Sequence, residues 1–224
     1  MAGEWMPDSD LADLRMRVAP GVAAALGRAV ELGFLGPMDL LEQIDHALGF
    51  VFVVERERPE GPPAAIDLGT GGGVPGLVVG SCWPECRVTL LDAGRRRTDF
   101  LRDELMGLWS GNIEVVRGRA EEVGRDPAFR QCFDVVTSRS FGPPAVAAEC
   151  GSPFLVPGGT MVVSEPPGTA PDRWPHTGLA HLGLVNGGSA QVGGRFGYQI
   201  LRQAIATPDR YPRRTGVPAK RPLF

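Results

Sequence analysis

The stretch that most limits what this chain can fold into is residues 64–79, AAIDLGTGGGVPGLVV, where two apolar runs flank Gly69, Gly71, Gly72, Gly73 and Gly76. A β-prone run that breaks into glycines and resumes as an apolar helix candidate predicts a βα turn that brings bare backbone against a ligand. The helix that follows would direct free N–H groups at an anion. Two registers fit: D-x-G-x-G-x-G through Asp67, Gly69, Gly71 and Gly73, or the dinucleotide fingerprint G-x-G-x-x-G through Gly71, Gly73 and Gly76. With 31 glycines and 21 prolines in 224 residues, glycine motifs also arise from composition, so a purely structural turn with Asp67 capping backbone stays open.

Downstream of residue 64, short β-prone runs alternate with helical stretches. The runs are AAIDL, RVTLLD (87–92), NIEVVRG (112–118), FDVVTSRS (133–140) and TMVVSE (160–165), with helix candidates at 75–81, 95–109 and 143–155. LGLVNGGSAQVGGRFGYQILRQAIA reads as two further strands around GGR, a hairpin at the sheet edge. The pattern predicts an α/β fold with a doubly wound, mostly parallel, seven-stranded sheet and a C-terminal β-hairpin. Residues 10–33 carry apolar positions at helical spacing interrupted by Pro20, which suggests two short helices. A further helix follows Gly36-Pro37, with Pro37 near its first turn and LLEQIDHAL supplying the periodic face. The expected organisation is an N-terminal helical extension (1–57), a linker at RPEGPP (58–63), a ligand-binding domain (64–207) and a basic C-terminal tail (208–224).

The formal charge is −3, so the molecule as a whole is not drawn to polyanions, but residues 202–224 set six cationic side chains against Asp209. The start, MAGEWMPDSD, lacks the cationic and apolar segments of a secretion signal, and no apolar run nears the roughly 18 residues of a membrane span. A cytoplasmic monomer is expected. Cys82, Cys86, Cys132 and Cys150, like His46, His176 and His181, lack metal-ligand spacing, so no metal site is expected.

Asp67 separates the two registers of the loop. At the carboxyl end of the first strand it would repel a pyrophosphate, whereas S-adenosylmethionine offers an ammonium and a cationic sulfur. A helix N-terminus favours that ligand's carboxylate by roughly 0.3–2 kcal/mol. Asp92 ends the second strand, where a doubly wound sheet brings an acid to the adenosine ribose; capping the next helix is the alternative. In GRAEEV (118–123), backbone at Ala120 and Glu121 could read the adenine edge, or the acids could simply favour a helix start.

Several segments together resemble the glucose-inhibited division protein B family: DLGTGGGVPG, RVTLLDAGRRRTDFLRDEL, NIEVVRGRAEE, FDVVTSRSF, LVPGGTMVV and RYPRRTGVPAKRPL. The family comprises class I, Rossmann-like, S-adenosylmethionine-dependent bacterial methyltransferases that modify N7 of a guanine in 16S ribosomal RNA. The resemblance implies cofactor contacts from Gly69, Val74, Ala120, Glu121 and Arg139, with Asp92 on the ribose and ribosomal RNA or the small subunit as partner. Arg139 should point into the crevice, toward the cofactor carboxylate or an RNA phosphate. Two features depart from the family: Glu165 stands where a lysine is usual, and QIDHALGF keeps only His46 of the N-terminal motif.

Guanine N7 already presents an unshared pair, so no general base is required and none is assigned; rate would come from in-line positioning. Arg95, Arg96 and Arg97 and the basic tail could grip phosphates. The alternatives are a related methyltransferase acting on another RNA or a small molecule, suggested by Glu165; a nonenzymatic relative that binds nucleosides or ribosomes; and an NAD-dependent oxidoreductase, disfavoured by Asp67.

Overall fold

In the computed structural model, which describes residues 4–6, 8–108, 111–166, 168 and 171–224, the sheet is organised around a strand buried at all five of its positions, β2 (Ala64–Leu68). A strand with no solvated face needs helices on both sides, and both sides have them. β2 pairs in parallel with β3 (Arg87–Asp92) and β5 (Phe133–Ser138); β4 (Ile113–Arg117) and β6 (Leu155–Glu165) extend the sheet in parallel on either side. The hairpin β7 (Leu184–Val192) and β8 (Phe196–Gln203) adds antiparallel to β6. These are the seven strands expected. An eighth, β1 (Glu4–Met6), pairs in parallel with β7 and completes the order β1-β7-β8-β6-β5-β2-β3-β4. Residues 1–57 were expected to be helical only; three residues held by backbone bonds from a distant strand leave no local pattern to read.

The helices follow their capping and apolar signals. α1 (Asp8–Arg15) and α2 (Pro20–Glu31) are separated as Pro20 required, the proline serving as the first helical residue. α3 (Leu40–Glu55) starts later than expected: Asp39 Oδ1 accepts from the Leu41 amide at 2.9 Å, so Pro37 precedes the cap rather than entering the first turn. α3 is apolar nearly all round and is buried from Gln43 to Val54 except at His46 and Phe52. Its interior glycine, Gly49, costs about 1 kcal/mol of helix propensity. The reason for it is spatial, because a Cβ there would lie 2.0 Å from the Tyr198 hydroxyl of β8.

α4 (Gly76–Cys82), α5 (Arg95–Leu108), α6 (Ala120–Val123), α7 (Pro144–Gly151), α8 (His176–Ala180) and α9 (Val217–Lys220) complete the fold. The expected end of α5 at residue 109 lies outside the described residues. The expected helix over 143–155 stops at Gly151, continues as a 3-10 turn at Ser152–Phe154, and gives way to β6 at Leu155. β6 therefore begins five residues before its apolar run, through the exposed Gly158 in the left-handed region.

One core packs α2, α3 and α4 on one face of the sheet, through Leu26, Leu48, Phe50, Leu77 and Leu90, all fully buried. Burying each such side chain contributes about 1.5–3 kcal/mol. The other face is closed by α7, α8 and residues from the C-terminal segment. That segment is docked. Tyr211 is buried, Arg213 forms an ion pair with the fully buried Glu149 at 2.5 Å, and Arg130 donates to the carbonyls of Thr207 and Tyr211. The expected basic tail is thus a packed strap, with Arg210, Arg214, Lys220 and Arg221 exposed.

Candidate functional site

The carboxyl ends of β2, β3, β4, β5 and β6 lie along one edge of the sheet, and strand order reverses between β2 and β5. Open α/β sheets bind ligands in the crevice at that reversal. The glycine loop opens it: Gly69, Gly71 and Gly73 have φ of 66°, 59° and 103°, conformations that other residues enter only with strain. The Gly69 and Thr70 amides donate to the Leu91 carbonyl, and the Gly71 amide to Asp92 Oδ2 at 3.0 Å, so the loop is fastened to the end of β3.

Asp67 sits beneath this loop, 1% exposed. Its Oδ2 accepts from the Gly76 amide at 3.0 Å, and its Oδ1 from the Thr137 hydroxyl at 2.8 Å. Burial pushes its pKa up to about 6, against the lowering effect of those hydrogen bonds and of Arg139. The expected direct contact between Asp67 and a ligand ammonium is replaced by an internal clamp joining β2, β5 and the start of α4. Gly76 has no side chain because a Cβ would lie 2.9 Å from Asp67 Oδ2 and 2.2 Å from Leu90 Cδ2. The Val74 side chain is in the core, and its amide donates to the Thr70 carbonyl.

Asp92, expected to hold a ribose, is 4% exposed. Oδ1 accepts from the Gly94 amide at 2.6 Å and from Arg97 Nη2 at 2.7 Å and Nε at 3.0 Å. A carboxylate has about four acceptor directions. These bonds leave Oδ2, beside the Gly71 amide, as the oxygen with capacity for a hydroxyl. Arg97 is therefore an anchor of Asp92 rather than a phosphate grip, while Arg95 and Arg96 stay exposed. The Gly118 amide donates to the Asp92 carbonyl, bringing Ala120 and Glu121 on the first turn of α6 beside this acid. The Glu121 carboxylate turns away and accepts from the Gly216 amide of the strap at 2.9 Å.

Arg139 follows β5 and is half-buried. Its Nη2 donates to Gln43 Oε1 of α3, and its Nη1 is buried without a partner. Burial lowers its pKa, with Tyr198 and Asp67 acting against that. An orphaned guanidinium N–H in the interior is costly, and a ligand carboxylate would satisfy it. Beside the glycine cradle, the free acceptor of Asp92 and Arg139 Nη1 thus fit two polar parts of S-adenosylmethionine: its ribose and its methionyl carboxylate.

A cavity of about 680 Å³ lies beside the segment that follows Arg139, between α3 and the ends of β5 and β6. His46, Phe141, Glu165, Arg173, Arg195 and Phe196 line it. The Phe141 ring reaches to 2.7 Å from where a Gly69 Cβ would be, so this residue belongs to both the glycine loop and the cavity wall. His46 stacks on Phe196, with centroids 4.7 Å apart and planes within 4°. Burial, with Arg139 as a lesser cause, pulls its pKa down to about 3, so the ring is neutral. Glu165 accepts from Trp174 Nε1 at 3.1 Å and pairs with Arg173.

Sequence reasoning missed Gln43, Thr137, Phe141 and Tyr198. A polar Gln43 within an apolar helical face was the one available signal; the others depend on which strands become neighbours. Among the described residues, no group of three or more His, Cys, Asp or Glu could hold a metal ion, and no helix is long and apolar enough to cross a membrane.

The family model described as rRNA small subunit methyltransferase G matches residues 36–165. Among curated proteins, a ribosomal RNA small subunit methyltransferase G from Moorella thermoacetica is 37% identical over 172 residues, covering 72% of this chain and 71% of its own. The protein of that name from Rubrobacter xylanophilus is 31% identical over 218 residues, covering 89% of this chain and 79% of its own. Among solved structures, the cofactor-bound protein Rv0187 from MTB matches with a TM-score of 0.57 at 17% identity, covering 83% of this chain and 90% of that one. A SAM-dependent methyltransferase from Aquifex aeolicus matches at 0.51 and 15%, covering 66% and 88%. At such identities the structural likeness shows the fold alone.

Proposed function

Because the chain belongs to the rRNA small subunit methyltransferase G family, we propose that it transfers a methyl group from S-adenosylmethionine to N7 of a guanine in small-subunit ribosomal RNA. The observation that carries this reading is that Phe141 packs against Gly69 of the glycine loop and also lines an aromatic-walled cavity large enough for a nucleotide. In this reading residues 64–207 hold the donor, while 1–57 and 208–224 frame the RNA, and the protein works as a cytoplasmic monomer without a metal.

Bound at the cradle, S-adenosylmethionine supplies a methyl group activated by a cationic sulfur. The chain's own residues do the rest by position. Gly69, Gly71 and Gly73 admit the ligand to the backbone, Asp92 Oδ2 takes a ribose hydroxyl, and Arg139 Nη1 takes the carboxylate. N7 needs no deprotonation, so no general base is required. In ideal cases orientation alone contributes about 7–11 kcal/mol. N7 of a paired guanine lies in the deep, narrow groove of A-form RNA, so the target base must be unpaired and turned outward.

The test has two parts. Calorimetry should show binding of S-adenosylmethionine in preference to NAD. Mass spectrometry of digested 16S RNA from a deletion strain and its complemented counterpart should show 7-methylguanosine restored by the gene; equal levels in both strains would refute the substrate. Methyl transfer to another RNA or a small molecule is the second reading, favoured by the carboxylate of Glu165 in the cavity.

A further inference from the structure

Glu165 has no task in the reaction described so far, yet it lines the cavity with a side chain only 8% exposed and held by Trp174 and Arg173. Each of its two oxygens keeps acceptor capacity beyond the bond it makes. A buried carboxylate presenting two acceptors side by side matches one nucleobase edge: guanine, whose N1–H and exocyclic N2 amine are adjacent donors. Adenine offers an acceptor at N1, and uracil a single donor between two carbonyls. Flipped bases are read in this manner, by hydrogen bonds along the pairing edge and by stacking on aromatic rings.

The surroundings agree. His46 and Phe196 form a parallel pair in the same wall, and the neutral imidazole behaves as an aromatic surface. Arg173 and Arg195, 37% and 50% exposed, stand at the rim, where phosphates of the flanking chain would pass. Glu165 ends β6, and β6 is separated from β2 by β5 alone, two strand spacings or about 9–10 Å. Anchored at β6 by its N1–N2 edge, a purine extends across β5 and presents its opposite, N7 side toward the glycine loop after β2.

We propose that Glu165 selects guanine, accepting from N1–H and the N2 amine of a flipped-out base that stacks against the His46–Phe196 pair and so aims N7 at the methyl donor. This rests on the guanine-N7 reading above, and it makes the acid at this position an element of substrate recognition.

The experiment uses the full-length protein and 16S RNA lacking the modification, with the methylated position first mapped using the wild type. Splint-ligated 16S RNA then carries guanine or inosine at that position; inosine keeps N1–H and N7 and lacks the N2 amine. The wild type should prefer guanine by about 5- to 150-fold in kcat/KM, the worth of one bidentate side chain–base pair. Glu165→Gln turns one acceptor into a donor that opposes the N2 amine, so guanine should fall to the level of inosine while inosine changes little. Arg173→Ala leaves the carboxylate in place; it should raise KM for both RNAs and keep the preference. If Glu165→Gln slows both RNAs alike, or if Arg173→Ala abolishes the preference as Glu165→Gln does, Glu165 serves only its ion pair and the proposal is overturned. Absence of 7-methylguanosine with the wild type would instead overturn the reading beneath it. Unchanged calorimetric affinity for S-adenosylmethionine in both variants verifies that they are folded.

Discussion

Asp67→Asn offers a direct measure of how the methyl donor's loop is held. The Asp67 carboxylate is fully buried, and its pKa is raised from the ordinary 3.8 to about 6. An acid whose folded pKa is raised binds its proton more tightly in the native state, so its contribution to stability is greatest below the unfolded pKa. That contribution is lost as pH climbs through the folded value. The full difference across that window is about 3 kcal/mol, and between pH 7 and pH 5 this one group should add about 1 kcal/mol on acidification. His46 works the other way. Its pKa is lowered to about 3, so from pH 7 to 5 the unfolded chain gains a proton that the native protein refuses, costing about 2 kcal/mol.

Comparing the variant with the wild type at both pH values cancels His46 and isolates Asp67. Asparagine is close in shape: Oδ1 can accept from the Gly76 amide and Nδ2 can donate to Thr137 Oγ1. Asp67→Asn should therefore be at least as stable as the wild type at pH 7, and its advantage should shrink by about 1 kcal/mol at pH 5. For a chain of this size that is about 2–4 °C in Tm, readable by calorimetry or circular dichroism melts. A stability difference that is the same at pH 7 and pH 5 would refute the claim that burial, and not a bound charge, governs this carboxylate.

Gly76→Ala places a methyl 2.2 Å from Leu90 Cδ2 and should cost about 1–3 kcal/mol in urea denaturation, with a matching loss of affinity for the methyl donor. Arg213→Ala leaves Glu149, with no exposed side-chain surface, short of its ionic partner; a loss of about 3 kcal/mol, or about 6–12 °C in Tm, is expected in thermal melts. Deleting residues 210–224 removes the buried Tyr211 and the Glu121 and Glu149 anchors, so it should lower Tm and donor affinity together. Replacing the exposed Arg210, Arg214, Lys220 and Arg221 by Gln should instead leave Tm within a few degrees and weaken RNA binding. If each of those four meets a phosphate, the logarithmic salt slope should flatten by about 3 in filter binding at several salt concentrations.

How much of this was legible beforehand follows from the range of the forces involved. β2 and β3 match the runs AAIDL and RVTLLD residue for residue, because a strand buried on both faces is an uninterrupted apolar segment bounded by turn residues. β1 left no signal, since its three residues are held by pairing with β7 far along the chain. The site shows the same division. That Asp67 ends a strand before a glycine loop was visible locally, but its hydroxyl partner Thr137 is visible only once β5 is known to lie beside β2 with those two residues in register. Arg97 was read as a free cation because nothing in RRR indicates that one guanidinium turns inward to Asp92.

Three acids at the ends of three parallel strands illustrate why position alone does not assign a role. Asp67 meets an amide and a hydroxyl in a dry interior, and its charge is spent holding β2, β5 and α4 together. Asp92 meets two amides and a guanidinium, and keeps one oxygen with room for a hydroxyl. Glu165 meets an indole N–H and an arginine, and lines open volume. The same side-chain chemistry thus becomes clamp, ribose contact or base reader according to which donors the neighbouring strands and turns supply and whether open volume adjoins the acid. Asp67 and Glu165 each meet two protein donors, and the one whose oxygens line open volume is the one left able to discriminate a substrate, since selectivity depends on acceptors that only the right ligand satisfies.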